Sequence, residues 1–190
     1  MKNYVLTPGP VPVPEFVMLE MAKPIIHHRT EEFEEIFYKA TQGLKKVFMT
    51  EEEVLILASS GTGAMDAAIC NTLSKGDTAL VVNGGKFGER WLKICKAYGV
   101  NTIEIKVEWG KAVSPKVIED ALKENKSIKA ILVQASETST GVEHPIEDIA
   151  KLTKSRDDII LIVDGITAVG AFPVEFDKWG IDILIGGSQK

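Results

Sequence analysis

From about residue 54 onward, apolar and polar positions alternate in blocks. Short apolar runs at 54–58, 78–82, 102–107, 130–133, 159–164 and 181–187 each give way to a polar or glycine-rich stretch. Four to six apolar residues without alternation suit a strand buried on both faces, which is the mark of a parallel sheet. Between the runs the spacing turns helical. Met65, Ala68, Ile69, Thr72 and Leu73 share one face, and so do Phe87, Trp91, Ile94, Cys95 and Tyr98. Ser114-Pro115 opens a further helix with proline in its first turn, and His144-Pro145 begins another that runs to about Lys154. Upstream, Phe33, Ile36, Phe37, Ala40, Leu44 and Val47 follow helical spacing behind Thr30, a candidate N-cap with acids in the first turn. The repeated strand–helix order predicts an α/β fold, a mostly parallel doubly wound sheet with helices on both faces.

The stretch 4–14 differs in kind, because it holds four of the chain's eight prolines. Proline removes backbone donors and stiffens the chain, so residues 1–20 are expected to form an arm and 21–190 the folded domain. Such an arm lies on its own domain or reaches a partner subunit or an active site. Composition adds exclusions. A formal net charge of -5 without a basic block gives no support to nucleic-acid binding. No run approaches a membrane span, and the first residues lack the apolar core of a signal peptide, so a soluble, cytoplasmic protein is expected. Cys70 and Cys95 both fall in helix-like patterns and read as small core residues rather than a disulfide pair. His27-His28 lacks a third ligand at recognisable spacing, so no metal is expected.

Polar residues gather after successive strands: Ser60-Gly61-Thr62, Phe87, the cluster 136–140, Asp164, and Ser188-Gln189-Lys190. In an open α/β sheet those strand ends lie along one edge, where ligands bind. The turn at 60–62 joins a strand to a helix and offers N–H groups and hydroxyls to an anion such as phosphate. It lacks the Walker A lysine and is not Gly-x-Gly-x-x-Gly. Phe87, in a glycine-bracketed loop, can stack on a flat ring or serve as a core aromatic. Asp164 could keep a basic ring nitrogen protonated, and Lys190 offers an amine to an aldehyde. One ligand uses all four features: pyridoxal 5'-phosphate.

These residues also carry a family resemblance. Leu6-Thr-Pro-Gly-Pro10, His28-Arg29-Thr30, Ser60-Gly-Thr-Gly-Ala64, Asn83-Gly84 with Phe87-Gly88, Glu137-Thr-Ser-Thr-Gly141, Val163-Asp164 and Gly187-Ser-Gln-Lys190 resemble, in order, the motifs of class V aminotransferases. The alanine–glyoxylate, serine–pyruvate and serine–glyoxylate enzymes are of this type. The resemblance implies the large domain of pyridoxal-phosphate fold type I. It implies that Lys190 holds the cofactor as a Schiff base and shuttles a proton, and that Asp164 keeps the pyridine nitrogen charged. Ser60, Gly61 and Thr62 take the phosphate, with Gln189 beside it or its hydrogen-bond network. Phe87 stacks on the ring, where several relatives carry Trp, and a hydroxyl near the ring comes from Thr138 or, one residue on, Ser139. The implied reaction moves an amino group from a small amino acid, alanine or serine, to a 2-oxo acid, glyoxylate or pyruvate. A homodimer is implied as well.

Members of the family are longer chains with a C-terminal small domain that bears the arginine for the substrate carboxylate. This chain therefore reads as the N-terminal portion of such a protein, with 21–190 an incomplete large domain that is expected to be inactive alone. Rival readings stay open: a phosphonate or phosphoserine transaminase, a cysteine desulfurase, or a non-catalytic phosphate-binding α/β module. Desulfurases place His before the lysine and stack His on the ring, where this chain has Gln189 and Phe87.

Overall fold

Five of the six expected apolar runs become strands of one parallel sheet. The computed structural model describes residues 5–190, so residues 1–4 of the expected arm lie outside the described residues. In chain order the elements are α1 (Glu15–Met21), α2 (Glu31–Phe48), α3 (Gly61–Thr72), β1 (Thr78–Asn83), α4 (Lys86–Tyr98), β2 (Asn101–Lys106) and α5 (Pro115–Glu124). Then come β3 (Ile128–Gln134), β4 (Ser136–Glu137), β5 (Val142–Glu143), α6 (Ile146–Ala150), β6 (Ile160–Asp164), α7 (Phe176–Trp179) and β7 (Ile183–Ile185). The sheet order is β2-β1-β3-β6-β7, and every pairing in it is parallel. The chain first steps outward from β1 to β2 and then returns to the other side of β1 for β3. That reversal makes a crevice at the carboxyl ends of β1 and β3, the place where open α/β sheets bind ligands.

Two apolar layers hold the sheet. Leu80, Val82, Ile131, Val133, Leu161 and Val163 point to one face and pack with Ile118 and Leu122 of α5 and Ile149 of α6. Their neighbours Ala79, Val81, Ala130, Leu132 and Ile162 point to the other, against Met65 and Ile69 of α3 and Trp91 and Cys95 of α4. Each fully buried aliphatic side chain contributes about 1.5–3 kcal/mol of transfer free energy, so the period-two division fixes the register of each strand. The fold class expected from the sequence is the one observed.

Some expectations fail. The run at 54–58 forms no strand, and Leu55, Ile56 and Leu57 are all exposed, Leu55 by 77%. No described backbone group pairs with it except Ser59 N–H, which donates to the Leu57 carbonyl at 2.8 Å. Hydropathy marks residues that gain from burial, but a strand also needs an edge to bond to. The α2 stripe is likewise uncovered: Ile36, Phe37 and Val47 are exposed and the helix has no buried residue, although Thr30 caps it by accepting the Phe33 N–H at 3.3 Å. Cys95 is buried as expected, whereas Cys70 is exposed, on the outer side of α3. The polar cluster after β3 folds into the β4–β5 hairpin, α6 is shorter than expected, and residues 176–179 add a helical turn.

Candidate functional site

The carboxyl ends of the central strands carry the polar groups. Gln134, Asp164 and Ile185 sit at matching register on β3, β6 and β7, so the segments leaving these strands start side by side. Asp164 ends β6 with only 4% of its surface exposed, and its Oδ1 accepts the Ile166 N–H at 3.0 Å. Burial pushes its carboxyl up to about 6; the Ile166 N–H and the nearby Arg90 and Lys190 cations pull the other way.

Ile166 joins three parts of the site. Its side chain packs on Gly61 so closely that a Cβ there would collide with it, and a Cβ added at Gly187 would meet it at 3.4 Å. The turn at 60–62 and the loop leading to Lys190 are thereby drawn to the residues after Asp164. Ser60 is the N-cap residue of α3, yet its side chain makes no capping hydrogen bond. The first-turn N–H groups of Gly61 and Thr62 have no partner within the helix, as at any helix start. Hydroxyls and free N–H groups at the positive end of a 12-residue helix suit an anion.

Phe87 is half-buried in the first turn of α4. Its backbone is held by Glu137, a fully buried carboxylate on β4. Glu137 accepts the N–H of Phe87 at 3.2 Å and of Gly88 at 3.0 Å, and the Ser139 hydroxyl at 2.6 Å. Ser139 Oγ in turn accepts the Lys86 N–H at 2.9 Å. The clamp spans the crevice between β1 and β3. Gly88 has no room for a side chain, because a Cβ would lie 2.7 Å from Asn83 Cα and 2.8 Å from the Val82 carbonyl.

The two candidate hydroxyls therefore part company. Thr138 Oγ1 bonds Thr167 Oγ1 at 2.7 Å, on the Asp164 side, while Ser139 belongs to the helix clamp. Lys190 is exposed, and its Nζ donates to the Pro8 carbonyl at 2.6 Å. The proline-rich arm thus lies on this chain's own domain, across the lysine. Gln189 is exposed beside it. The cleft beside the end of α2 and the one beside 153–160 contain none of these residues.

Sequence reasoning missed Glu137, Arg90, Thr167 and Ile166. Glu137 lies within the 137–141 motif, where the sequence gives it no role. Arg90 stood one helical turn after Phe87, a spacing that puts both on one face. Its Nη1 donates to Thr62 Oγ1 at 2.9 Å, and its Cζ lies 4.8 Å from the centre of the Phe87 ring. His144 is buried as well: its Nδ1 accepts the Val113 N–H at 3.0 Å, and burial lowers its pKa.

The donor set fits pyridoxal phosphate: an anion turn, an aromatic face, a buried carboxylate suited to pair with a cationic ring nitrogen, and an amine. Comparison with known proteins points the same way. The family described as aminotransferase class-V matches residues 15–190. A relative named as the small subunit of a soluble hydrogenase, from Synechococcus sp. (strain PCC 6716), is 45% identical and covers 100% of this chain and 50% of its own. The crystal structure of a subgroup IV aspartate aminotransferase from Thermus thermophilus superposes with a TM-score of 0.91 at 33% identity, over 99% of this chain and 53% of that one. An alanine–glyoxylate aminotransferase from Nostoc sp. gives 0.92 at 30% identity, over 97% of this chain and 49% of that one. The chain spans about half the length of the relatives it matches.

Proposed function

This chain belongs to the aminotransferase class-V family, and we propose that it builds the cofactor-holding part of a pyridoxal-phosphate-dependent transaminase. Residues 21–190 are the cofactor-binding large domain and 1–20 its arm. The observation that carries this reading is that Asp164 and the Lys190 loop leave the adjacent strands β6 and β7, and that Ile166, just after Asp164, packs on the 60–62 turn.

Bound pyridoxal phosphate supplies an aldehyde that condenses with amines and a protonated ring that withdraws electrons from a substrate α-carbon. The chain's residues do the rest. Ser60, Gly61 and Thr62 bind the phosphate at the start of α3, with Gln189 beside it. Phe87, fixed by Glu137, covers one ring face. Asp164, ionised next to a cationic nitrogen, keeps that nitrogen protonated. Thr138 or Ser139 offers a hydroxyl near the ring, and the Thr138–Thr167 bond on the Asp164 side favours Thr138. Lys190 anchors the cofactor and, once released, its neutral amine takes the α-proton and returns it to the cofactor. Release requires leaving the Pro8 carbonyl, so the arm helps to set where the amine rests.

For substrates we propose a small amino acid, alanine or serine, as donor and glyoxylate or pyruvate as acceptor. The Nostoc alanine–glyoxylate enzyme supports this choice, and the Thermus aspartate enzyme makes aspartate the competing donor. A cytoplasmic homodimer is part of the proposal. Among the described residues no helix is long and apolar enough to cross a membrane.

Incubation with pyridoxal phosphate and borohydride should leave a stable adduct on Lys190, found by peptide mass spectrometry and absent from Lys190→Ala. An unmodified wild-type Lys190 would refute the reading. A donor panel of alanine, serine and aspartate, run on the full-length protein with each acceptor, tests the substrates.

A further inference from the structure

Arg90 is a guanidinium drawn into this site; its charge is felt by the buried Asp164 carboxylate, but among the described residues no carboxylate pairs with it directly. Among the described residues it takes part in no ion pair, while Glu89, its sequence neighbour, is engaged by Lys86. Among the described residues its side chain hydrogen-bonds a neutral hydroxyl, Thr62 Oγ1. Thr62 is the second residue of α3, so the bond holds a permanent cation at the positive end of that helix. Two like polarities are thus brought together in a half-buried place, with the Phe87 ring closing one side of the guanidinium. An arginine with only Nη1 engaged, by a neutral hydroxyl, and a helix start whose first N–H groups have no partner within the helix together suit a phosphate-type dianion.

We propose that Arg90 is a further ligand of the cofactor's phosphate, supplying the formal positive charge that the neutral turn at 60–62 lacks. The proposal rests on the cofactor reading above. A hydroxyl-and-amide turn binds an anion through dipoles alone, whereas a guanidinium adds charge-assisted hydrogen bonds of roughly twice the strength. The contact with Thr62 keeps the fork at the mouth of the turn. The alternative role is a prop for the Phe87 ring, which would act on ring stacking and not on phosphate.

The two roles separate on a pair of aldehydes. Dissociation constants for pyridoxal phosphate and for pyridoxal, which lacks the phosphate, are measured by absorbance on the wild-type chain, Arg90→Gln and Arg90→Lys. The expected result is a loss of about 10- to 100-fold for pyridoxal phosphate in Arg90→Gln, with pyridoxal changed by less than about 2-fold. Arg90→Lys should recover part of the loss, because it keeps the charge without the fork; should Arg90→Gln fail to fold, this variant carries the comparison. Equal losses for both aldehydes, or no loss for either, would overturn the Arg90 assignment and leave the cofactor reading standing. A wild-type chain that traps neither aldehyde on Lys190 would bring down both.

Discussion

Replacing Asp164 by Asn should change how the ligand-free protein's stability depends on pH, and the sign follows from the site. The carboxyl is raised from 3.8 to about 6, chiefly by burial. A raised acid binds its proton more tightly in the folded state, so its contribution is most favourable below about pH 4 and is lost as pH climbs through about 6. The gap between 3.8 and about 6 corresponds to about 3 kcal/mol. Asn has nearly the same shape, can still accept the Ile166 N–H, and does not titrate. Relative to Asp164→Asn, the wild-type chain should therefore lose about 3 kcal/mol of unfolding free energy between pH 4 and pH 8. His144 works in the opposite direction, because its burial lowers its pKa and costs stability as pH falls through 6.5. Taking the difference between the two proteins cancels that contribution. Urea unfolding followed by tryptophan fluorescence at several pH values gives the difference directly. A wild-type-minus-variant difference that stays flat with pH would refute the view that burial disfavours the charge on Asp164. Adding pyridoxal phosphate should reverse the ranking at pH 8, since a cationic ring nitrogen restores a partner to the wild-type carboxylate and offers the Asn variant nothing.

Other outcomes follow from the clamp and the packing. Glu137→Ala strands the N–H groups of Phe87 and Gly88 and the Ser139 hydroxyl. It should cost about 3 kcal/mol in chemical denaturation, with Glu137→Gln losing about half of that. Gly88→Ala presses a methyl into the β1 backbone, and overpacking of that kind should cost about 1–3 kcal/mol of unfolding free energy. Trp91→Ala empties the fully buried centre of the α3–α4 layer and should lower stability by about 3–5 kcal/mol, read from the same urea curves.

Much of this protein was legible in its sequence because period and composition report burial. The apolar runs at 78–82 and 130–133 could only be strands covered on both faces, and the helical stripe around Trp91 needed a sheet to lie on. Candidate ligand-binding residues stood just after an apolar run, as Asp164 and Lys190 do. The limits are equally physical. Strand 54–58 was expected on hydropathy alone, and it failed because backbone pairing depends on a neighbouring edge that no local pattern encodes. The α2 stripe was read correctly as a helix face, but its cover is not supplied by the described residues.

The site divides the same way. Sequence determined which polar and aromatic residues follow the apolar runs and were therefore candidates to meet a ligand: Ser60, Gly61, Thr62, Phe87, Thr138, Asp164, Gln189 and Lys190. Tertiary structure alone decided what those residues touch. Glu137 reaches Phe87 across about 50 residues of chain, Arg90 meets Thr62 between two helices, and Pro8 meets Lys190 from opposite ends of the sequence. Local spacing governs contacts within one element, whereas these depend on strand order, which the sheet sets when it brings β3 back beside β1.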